Sequence, residues 1–212
     1  MIYIYFSHAL INKPRILLSI NFKTIMRIIT MLRKIIALIT ITLLFNSVSA
    51  SPYDEAISSW KSHEDVGNWL NSNFTFDTSR QRMIATILKT DGPTSLVVRN
   101  PTNLFERNSS GWCGDSANFA LKSLNKIDPA HNARWVFIWN NDGPPHHWVT
   151  AFNYNKKLYI MDFGTGDKWT AMQGIHGPYD SLDGYHNFLA SLNITGFEVG
   201  EVAYRDMPGD ED

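Results

Sequence analysis

The sequence predicts an α+β fold in which a helix that begins at a cysteine packs on an antiparallel sheet. The only cysteine, Cys113, stands at the start of a segment with helical periodicity. Three runs rich in aromatic and β-branched residues follow it and are separated by short polar turns. His146 and His147 lie in the second run and Asp162 lies near the end of the third. The helix and the sheet together therefore carry a Cys, a His and an Asp.

The first 50 residues predict a secretory signal. They hold six Lys or Arg and no acidic residue, and a basic pair at 33–34 precedes an apolar run over Ile35–Phe45. The small residues Val48-Ser49-Ala50 then form a cleavage site. The apolar run has eleven residues, whereas a helix that spans a membrane needs about 20; an uncleaved anchor is the alternative. We expect cleavage after Ala50 and a secreted or periplasmic protein that has no membrane contact afterwards.

Two methionines inside this region, Met26 and Met31, are both plausible start sites. Either start would leave a signal of ordinary length. Residues 1–25 are therefore open to interpretation as an artefact of start assignment.

Residues 51–212 predict a single domain, since 162 residues are enough to bury a sizeable core. This part of the chain holds 13 Lys and Arg against 20 acidic residues, which is a formal charge of −7, and it contains no run of basic residues. An acidic surface without a basic run does not attract the phosphate backbone of a nucleic acid. We therefore expect no nucleic-acid partner.

The single cysteine needs an explanation in an exported protein, because cysteines in that compartment usually pair in disulfides. Cys113 is either an inert small core residue or a nucleophile. Composition alone does not distinguish the two.

The segments before Cys113 predict mostly helix. Apolar residues at helical spacing after an acidic start predict one or two short helices on the outside of the domain over residues 52–70. A second amphipathic segment covers Ser79–Lys89, with Ser79 as its N-cap. Residues 95–101 fit a short strand or an extended linker, and the Asn-, Pro- and Ser-rich stretch 100–110 predicts a loop.

The helix that begins at Cys113 is expected to run to about Asn125. Three runs then predict an antiparallel meander: 133–139, 146–154 and 157–163. Beyond Gly164 the sequence is Gly-rich and predicts irregular structure up to a short helix at about 185–192. A last strand is expected within residues 196–205.

These elements bring together the groups that thiol chemistry needs. A thiolate rather than a thiol attacks a carbonyl, and the free N–H groups and positive dipole of a helix start favour the anion at Cys113. An imidazole must act beside it, but His146 and His147 are neighbours on a strand and point to opposite faces, so only one can face the thiol. Asp162 ends the adjoining strand, where it can hydrogen-bond the other ring nitrogen. The Cys113 backbone N–H and a side chain such as Gln81 or an upstream Trp are candidate oxyanion donors.

The order of these motifs resembles the transglutaminase-like superfamily of papain-related cysteine enzymes. The stretches "GWCGDSANF", "ARWVFIW", "HHWV" and "LYIMD" are similar to its G-x-C-x-[DE]-x-A helix start, its A-R-x-V and H-x-W strands and its Asp-ending strand. The core motif is most similar to the G-x-C-G-E-x-A-N of peptide:N-glycanases, with Asp115 in place of Glu. The resemblance covers about residues 111–166 and implies a transglutaminase-like, papain-like fold.

The resemblance also implies roles. It makes Cys113 the nucleophile, His146 the base, as the H of H-x-W, and Asp162 the orienting carboxylate. A papain-like H-[AFWY]-V pattern would select His147 instead. The chain departs from peptide:N-glycanases in three ways: it lacks their zinc-binding cysteine pairs, it carries an export signal although they are mostly intracellular, and Phe163-Gly164-Thr165 stands where Asp-Pro-Thr often follows the triad Asp.

Several neighbouring residues have structural explanations beside functional ones. Trp112 and Trp148 fit the walls of a cleft and core positions equally well. Asp115 is better explained by stabilisation of the helix dipole than by chemistry. Arg134 fits a buried ion-pair partner or an exposed charge on a strand.

We expect no metal and no cofactor. Adjacent histidines on a strand diverge, and the sequence has no His pair at helical spacing, no HExxH motif and no second cysteine at zinc spacing. These arguments apply to the candidate ligands His146, His147, Asp162, His176 and His186.

The sequence thus predicts a secreted cysteine-dependent hydrolase that acts on an amide bond of a peptide, protein or glycopeptide through an acyl-enzyme on Cys113. This class includes peptidases and side-chain amidases. Two alternatives stay open: a protein-glutamine acyltransferase or deamidase, including a toxin or effector that modifies a host glutamine, and a catalytically silent domain that binds peptide or cell-wall polymer. Retention of all three candidate triad residues favours an enzyme. A domain of about 160 residues has little chain with which to build a closed tunnel, which favours hydrolysis over transfer to an amine.

Overall fold

The computed structural model describes residues 21–44, 50–207 and 210–211, with side chains described for all of these except 36–44 and 210–211. The chain divides into two compact units, residues 1–49 and 50–212. The first unit contains helix α1 (Phe22–Leu44), which includes the basic pair and most of the apolar run of the expected signal. Residues 1–20 of the possible start-site artefact, and Phe45, Val48 and Ser49 of the expected signal, lie outside the described residues. No helix in the described part of the chain is long and apolar enough to cross a membrane.

The second unit is a mixed structure of helices and an antiparallel sheet, which agrees with the expected α+β class. Its helices are α2 (Pro52–Ser59), α3 (His63–Asn73), α4 (Thr78–Thr90), α5 (Pro101–Glu106), α6 (Cys113–Ile127) and α7 (Leu182–Ser191). Its strands are β1 (Thr75–Phe76), β2 (Val98–Arg99), β3 (Ser110–Gly111), β4 (Arg134–Asn140), β5 (His147–Tyr154), β6 (Lys157–Asp162), β7 (Gly174–Tyr179), β8 (Val199–Tyr204) and β9 (Asp210–Glu211). Short 3-10 turns occupy 93–95, 129–131 and 167–172.

The main sheet has five strands in the order β7-β6-β5-β4-β8, and all neighbours are antiparallel. The predicted meander of β4, β5 and β6 is confirmed, and so is the last strand, β8, which adds to the free edge of β4. Two small parallel pairs, β1 with β3 and β2 with β9, lie outside this sheet.

The sheet separates two apolar clusters. On one face, α6 packs with α2 and α3, and Phe119 of α6 meets Phe152 and Met161 of the sheet. On the other face, α7 supplies Tyr185 and Leu189 to a second cluster. A hydrogen bond from the Thr150 hydroxyl to the Ala117 carbonyl (2.6 Å) ties β5 to α6. These contacts bring the start of α6 to the end of the sheet where β5 begins and β6 ends.

Four expectations before Cys113 need correction or refinement. The two helices over residues 52–70 are confirmed, and each has one exposed face and one face that supplies buried core residues such as Tyr53 and Val66. The N-cap of α4 is Asp77, whose carboxylate accepts from the two backbone N–H groups at 79 and 80, and Ser79 is already inside the helix. The open choice at 95–101 resolves into β2, and the expected loop at 100–110 contains α5.

After Gly164 the structure is more regular than expected. The stretch that predicted irregular structure contains β7, an edge strand that pairs with β6. The short helix expected at 185–192 begins earlier, at Leu182, because Ser181 caps it through the Asp183 N–H.

Candidate active site

Cys113 is the first residue of α6. Trp112 before it is extended (φ −95°, ψ 177°) and directly follows β3, so the chain turns from strand to helix at the thiol. The N–H groups of a first helical turn have no partner within the helix, and with the helix dipole they favour an anion at this position. The predicted placement of Cys113 at a helix start is confirmed.

Asp115, in the first turn of α6, is fully buried and joins three elements. Its Oδ2 accepts from the Trp112 backbone N–H (3.0 Å) and from Arg80 Nε (2.5 Å). Its Oδ1 accepts from Arg80 Nη2 (3.1 Å) and from the Arg99 backbone N–H (2.8 Å). Asp115 therefore holds the start of α6 against α4 and β2, and its position is structural, as the sequence interpretation favoured.

His147 and Asp162 form a buried pair beside the thiol. His147 begins β5 and Asp162 ends β6, and the antiparallel pairing of these strands brings the two ends together. His147 Nε2 lies 2.7 Å from Asp162 Oδ2, and each residue is 1% exposed. The Gly164 backbone N–H donates to Asp162 Oδ1 (3.2 Å). The His147 side chain also interacts with the Cys113 side chain, and with Nε2 on the carboxylate, Nδ1 is the nitrogen left for the sulfur.

These surroundings raise the pKa of His147. Burial alone favours the neutral ring, but the charge of Asp162, its hydrogen bond and the contact with Cys113 outweigh burial and raise the pKa from 6.5 to about 10. The ring therefore stays an imidazolium through neutral pH.

His146 lies away from this pair. Its ring stacks on Trp139 with the centroids 3.8 Å apart, and its Nδ1 accepts from the Asn140 backbone N–H (3.1 Å). The sequence predicts correctly that the two rings diverge, but it prefers His146 at Cys113. The structure reverses that preference, because the strand alternation turns His147 to the sheet face that carries the carboxylate and turns His146 to the other face.

Gly164 lets the loop after Asp162 pack directly on the start of α6. A Cβ at this position would lie 2.6 Å from Cys113 Cα and 3.1 Å from the Cys113 carbonyl oxygen, so no side chain fits. The sequence assigned this residue no role, although a glycine two positions after the candidate carboxylate was the available signal. Gly164 thus has two contacts at the site, one through its N–H and one through its missing side chain.

An apolar cluster surrounds the thiol. Its buried members are Ile84, Leu96, Val98, Trp112, Cys113, Ala117, Phe137 and Trp148. Cys113 is only 5% exposed, and Trp112 and Trp148 are 4% and 8% exposed, so the two indoles are core neighbours of the sulfur and do not wall an open cleft. The Trp112 Nε1 has no hydrogen-bond partner among the described residues and is an available donor. Gln81, the other candidate donor, lies half-buried on α4.

Two further residues were not found from the sequence: Trp169, which contacts His147, and Tyr185, which the charge of Asp162 reaches. The Trp169 ring meets the His147 ring edge-on at 5.8 Å. Tyr185 is fully buried, and its hydroxyl has no partner among the described residues. Burial, and after it the charge of Asp162, raise the pKa of Tyr185 well above 10, so the hydroxyl keeps its proton. Trp169 lies in the stretch expected to be irregular and Tyr185 lies at the start of the expected short helix, and no sequence motif marks either residue.

The remaining sequence candidates lie apart from the thiol. The exposed Arg134 places its guanidinium over the Tyr204 ring at 3.9 Å, which fits an exposed strand charge better than a buried ion pair. His176 Nε2 lies 2.6 Å from the Met172 carbonyl oxygen. Within residues 21–44, 50–207 and 210–211, no group of three or more His, Cys, Asp or Glu is arranged to hold a metal ion.

A cavity of about 1210 Å³ lies at the opposite end of α6 from the thiol. Residues at the end of α6, Lys126 and Asp128, line it together with Asn155 and Lys156 of the β5–β6 turn. None of the three candidate triad residues borders this cavity.

The comparison with solved structures shows a distant likeness. No family model matches the chain, and no curated protein matches it. A solved structure described as "Crystal structure of a TGase" is 15% identical, with a TM-score of 0.35, over 60% of this chain and 33% of that one. The aligned part thus spans about a third of the length of that protein.

Proposed function

We propose that this chain is a cysteine-dependent amide hydrolase of the transglutaminase-like class, in which Cys113 is the nucleophile, His147 the acid and base, and Asp162 the group that orients it. One observation carries the proposal: the buried series of contacts from Cys113 through His147 to Asp162, with 2.7 Å between the last two. An inert core cysteine needs no charged ring beside it, and burial of an ion pair costs stability. A thiol nucleophile needs both an imidazole and a group that orients it.

The proposed reaction proceeds in two halves. Cys113 Sγ attacks the amide carbonyl carbon, a C–S bond forms, and the developing oxyanion accepts from the Cys113 backbone N–H at the helix start. The C–N bond breaks as His147 gives its proton to the leaving amine, which leaves a thioester. Water then attacks the thioester while His147 takes its proton. The C–S bond breaks, the carboxylic acid leaves, and the thiolate and imidazolium are restored.

The substrates we propose are amides of a peptide, protein or glycopeptide, with water as the final acceptor. Transfer to an amine requires a site that excludes water and admits the acceptor. The unit of residues 50–212 is small, and water at about 55 M competes with a millimolar amine unless such a channel exists. We therefore propose hydrolysis over acyl transfer.

The test is to incubate the protein with candidate amide donors and a fluorescent primary amine and to weigh the products. We expect hydrolysed product that disappears in Cys113→Ala and in His147→Ala and persists in His146→Ala, the matched control. Amine incorporation that predominates and depends on Cys113 would make the chain a transferase and contradict the proposal.

A silent binding domain is the second candidate, and the low exposure of Cys113, 5%, is the observation that favours it. The two candidates differ in the reactivity of the thiol. Alkylation of the folded protein by iodoacetamide at about pH 6 supports the enzyme, because a free cysteine is mostly protonated there. Labelling that requires unfolding or a pH above about 8 supports the silent domain.

We also propose that the protein is exported and that residues 51–212 are the mature form. The support is the basic pair, the apolar run and the small-residue site in the first 50 residues. A reactive thiol would account for an unpaired cysteine in an exported protein.

A further inference from the structure

The low exposure of Cys113 raises the question of how a substrate reaches the sulfur. The chain after β8, which we call the covering segment (residues 205–207 and 210–211; residues 208–209 lie outside the described residues), packs against the apolar cluster around the thiol. The Arg205 guanidinium lies over the Phe137 ring at 4.4 Å. Met207, half-buried, packs against the apolar cluster that contains Cys113. Farther along, β9 pairs with β2.

Strand β2 lies beside the start of α6, and its two edges have different partners. On one edge, the Arg99 N–H donates to Asp115 Oδ1 (2.8 Å), and the Arg99 carbonyl accepts from Asn118 Nδ2 (3.0 Å). Both partners belong to α6, and Asp115 stands two residues after Cys113. Because the N–H and C=O of a strand residue point to the same side, the groups of Val98 face the other edge. That second edge is the one that β9 fills, in a parallel register that pairs 98 with 210 and 99 with 211.

Another extended chain can replace β9 in its pairing with β2. Backbone hydrogen bonds between strands do not depend on sequence, and addition of a strand to a sheet edge is a general way to bind extended peptide. The β2–β9 ladder is only two residues long, and so short a ladder is marginal by itself. The Met207 side chain adds an apolar contact with the cluster that contains Cys113.

We propose that the second edge of β2 is the binding edge for an extended polypeptide substrate with an apolar side chain at the Met207 position, and that the covering segment occupies this edge in its place. This inference rests on the proposed function and narrows its substrate class to polypeptide. A substrate strand displaces β9, takes up the backbone partners of β2 and brings its amide next to Cys113. The covering segment thereby keeps the thiol shielded until a polypeptide competes for the edge.

The test uses full-length variants and the rate at which iodoacetamide alkylates Cys113 in the folded protein. Proline has no N–H, so D210P/E211P removes both backbone donors of β9, and we expect alkylation to become about tenfold faster. The matched control, D210N/E211Q, removes the two charges but keeps the donors and should label at the wild-type rate. Met207→Ala should also speed labelling, whereas Met83→Ala, an exposed methionine on α4, should not.

A competition experiment tests the binding edge directly. A synthetic peptide with the sequence of residues 205–212, RDMPGDED, should slow alkylation of D210P/E211P, and the same peptide with Met replaced by Asp should not. Equal labelling rates in wild type, D210P/E211P and Met207→Ala, or no effect of the peptide, would overturn the inference.

The outcomes separate this inference from the proposed function. If the variants label faster but no amide donor forms a thioester on Cys113, the binding edge is supported and the proposed hydrolase is contradicted. If wild type and variants label equally fast and hydrolyse the amide equally fast, the proposed hydrolase is supported and the binding edge is contradicted.

Discussion

At the scale of single residues, two adjacent histidines have opposite environments, and this difference is testable. His147 contacts Cys113 and Asp162, whereas His146 stacks on Trp139. We expect His147→Ala to lower the alkylation rate of Cys113 at about pH 6 by tenfold or more, and to lower amide turnover by roughly 10²–10⁴-fold. His146→Ala should keep both activities and lose the stacking contact on Trp139 and the hydrogen bond from the Asn140 backbone N–H, together about 1–3 kcal/mol of stability. Equal losses in the two variants, with both folded, would contradict the assignment.

A second residue-scale prediction concerns pH and the His147–Asp162 pair. In Cys113→Ala the carboxylate still holds the pKa of His147 above its ordinary value of 6.5, so the folded state binds a proton that the unfolded state releases. The stability from this pair is complete below that ordinary value and is lost as the pH rises through the raised pKa. We expect the free energy of unfolding of Cys113→Ala, from urea titrations, to fall as the pH rises from about 6 to about 9. The fall should be much smaller in C113A/H147Q; an identical fall in both would sink the prediction.

At the scale of elements, the start of α6 depends on a clamp from another helix. Arg80 of α4 makes two hydrogen bonds to the fully buried Asp115. Arg80→Met leaves that carboxylate buried without its cation, and we expect the free energy of unfolding to fall by about 3–5 kcal/mol. Arg82→Met, on the exposed side of the same helix, is the control and should change it by less than about 0.5 kcal/mol. Comparable losses in denaturant titrations of the two variants would show that the clamp does not hold α6.

The elements that the sequence predicted well are those with long periodic patterns. Helix α6 and the meander of β4, β5 and β6 follow clear helical or aromatic patterns, and their order along the chain follows from these. Helix α5 was missed because six residues are too few to show periodicity, although Asn100 as N-cap and Pro101 at the first turn are both helix-start signals. Strand β7 was missed because its Gly and Pro residues disfavour strand locally, and its pairing with β6 comes from tertiary context.

The residue types of the candidate site were predictable from the sequence, but the choice between the two adjacent histidines was not. The sequence identified Cys113, Asp162 and a histidine of the 146–147 pair, because their residue types and order carry the chemistry. It could not choose between the two rings, since alternation predicts that they diverge but not which one faces the thiol. Arg80 was not found because a buried partner for Asp115 becomes visible only once α4 is placed against α6.

At the scale of the whole molecule, the proposed export predicts a defined mature form. We expect the protein recovered from outside the cytoplasm to begin at Ser51, by intact mass and N-terminal sequencing. Ala50→Trp places a large residue at the small-residue site and should leave the longer form, while Ser51→Ala, beyond that site, should be processed normally. Recovery of the wild type only in the longer form would contradict the signal prediction and favour an uncleaved anchor.

The Thr150–Ala117 hydrogen bond has a consequence for how the chain folds. It joins β5 to α6 inside the stretch 113–162, fifty consecutive residues that contain all three candidate triad positions. Contacts between such near neighbours close short loops and cost little chain entropy, so they form early in folding. Strands β8 and β9 join from much farther along the chain and should dock later. The three candidate triad residues are therefore expected to come together before β9 pairs with β2.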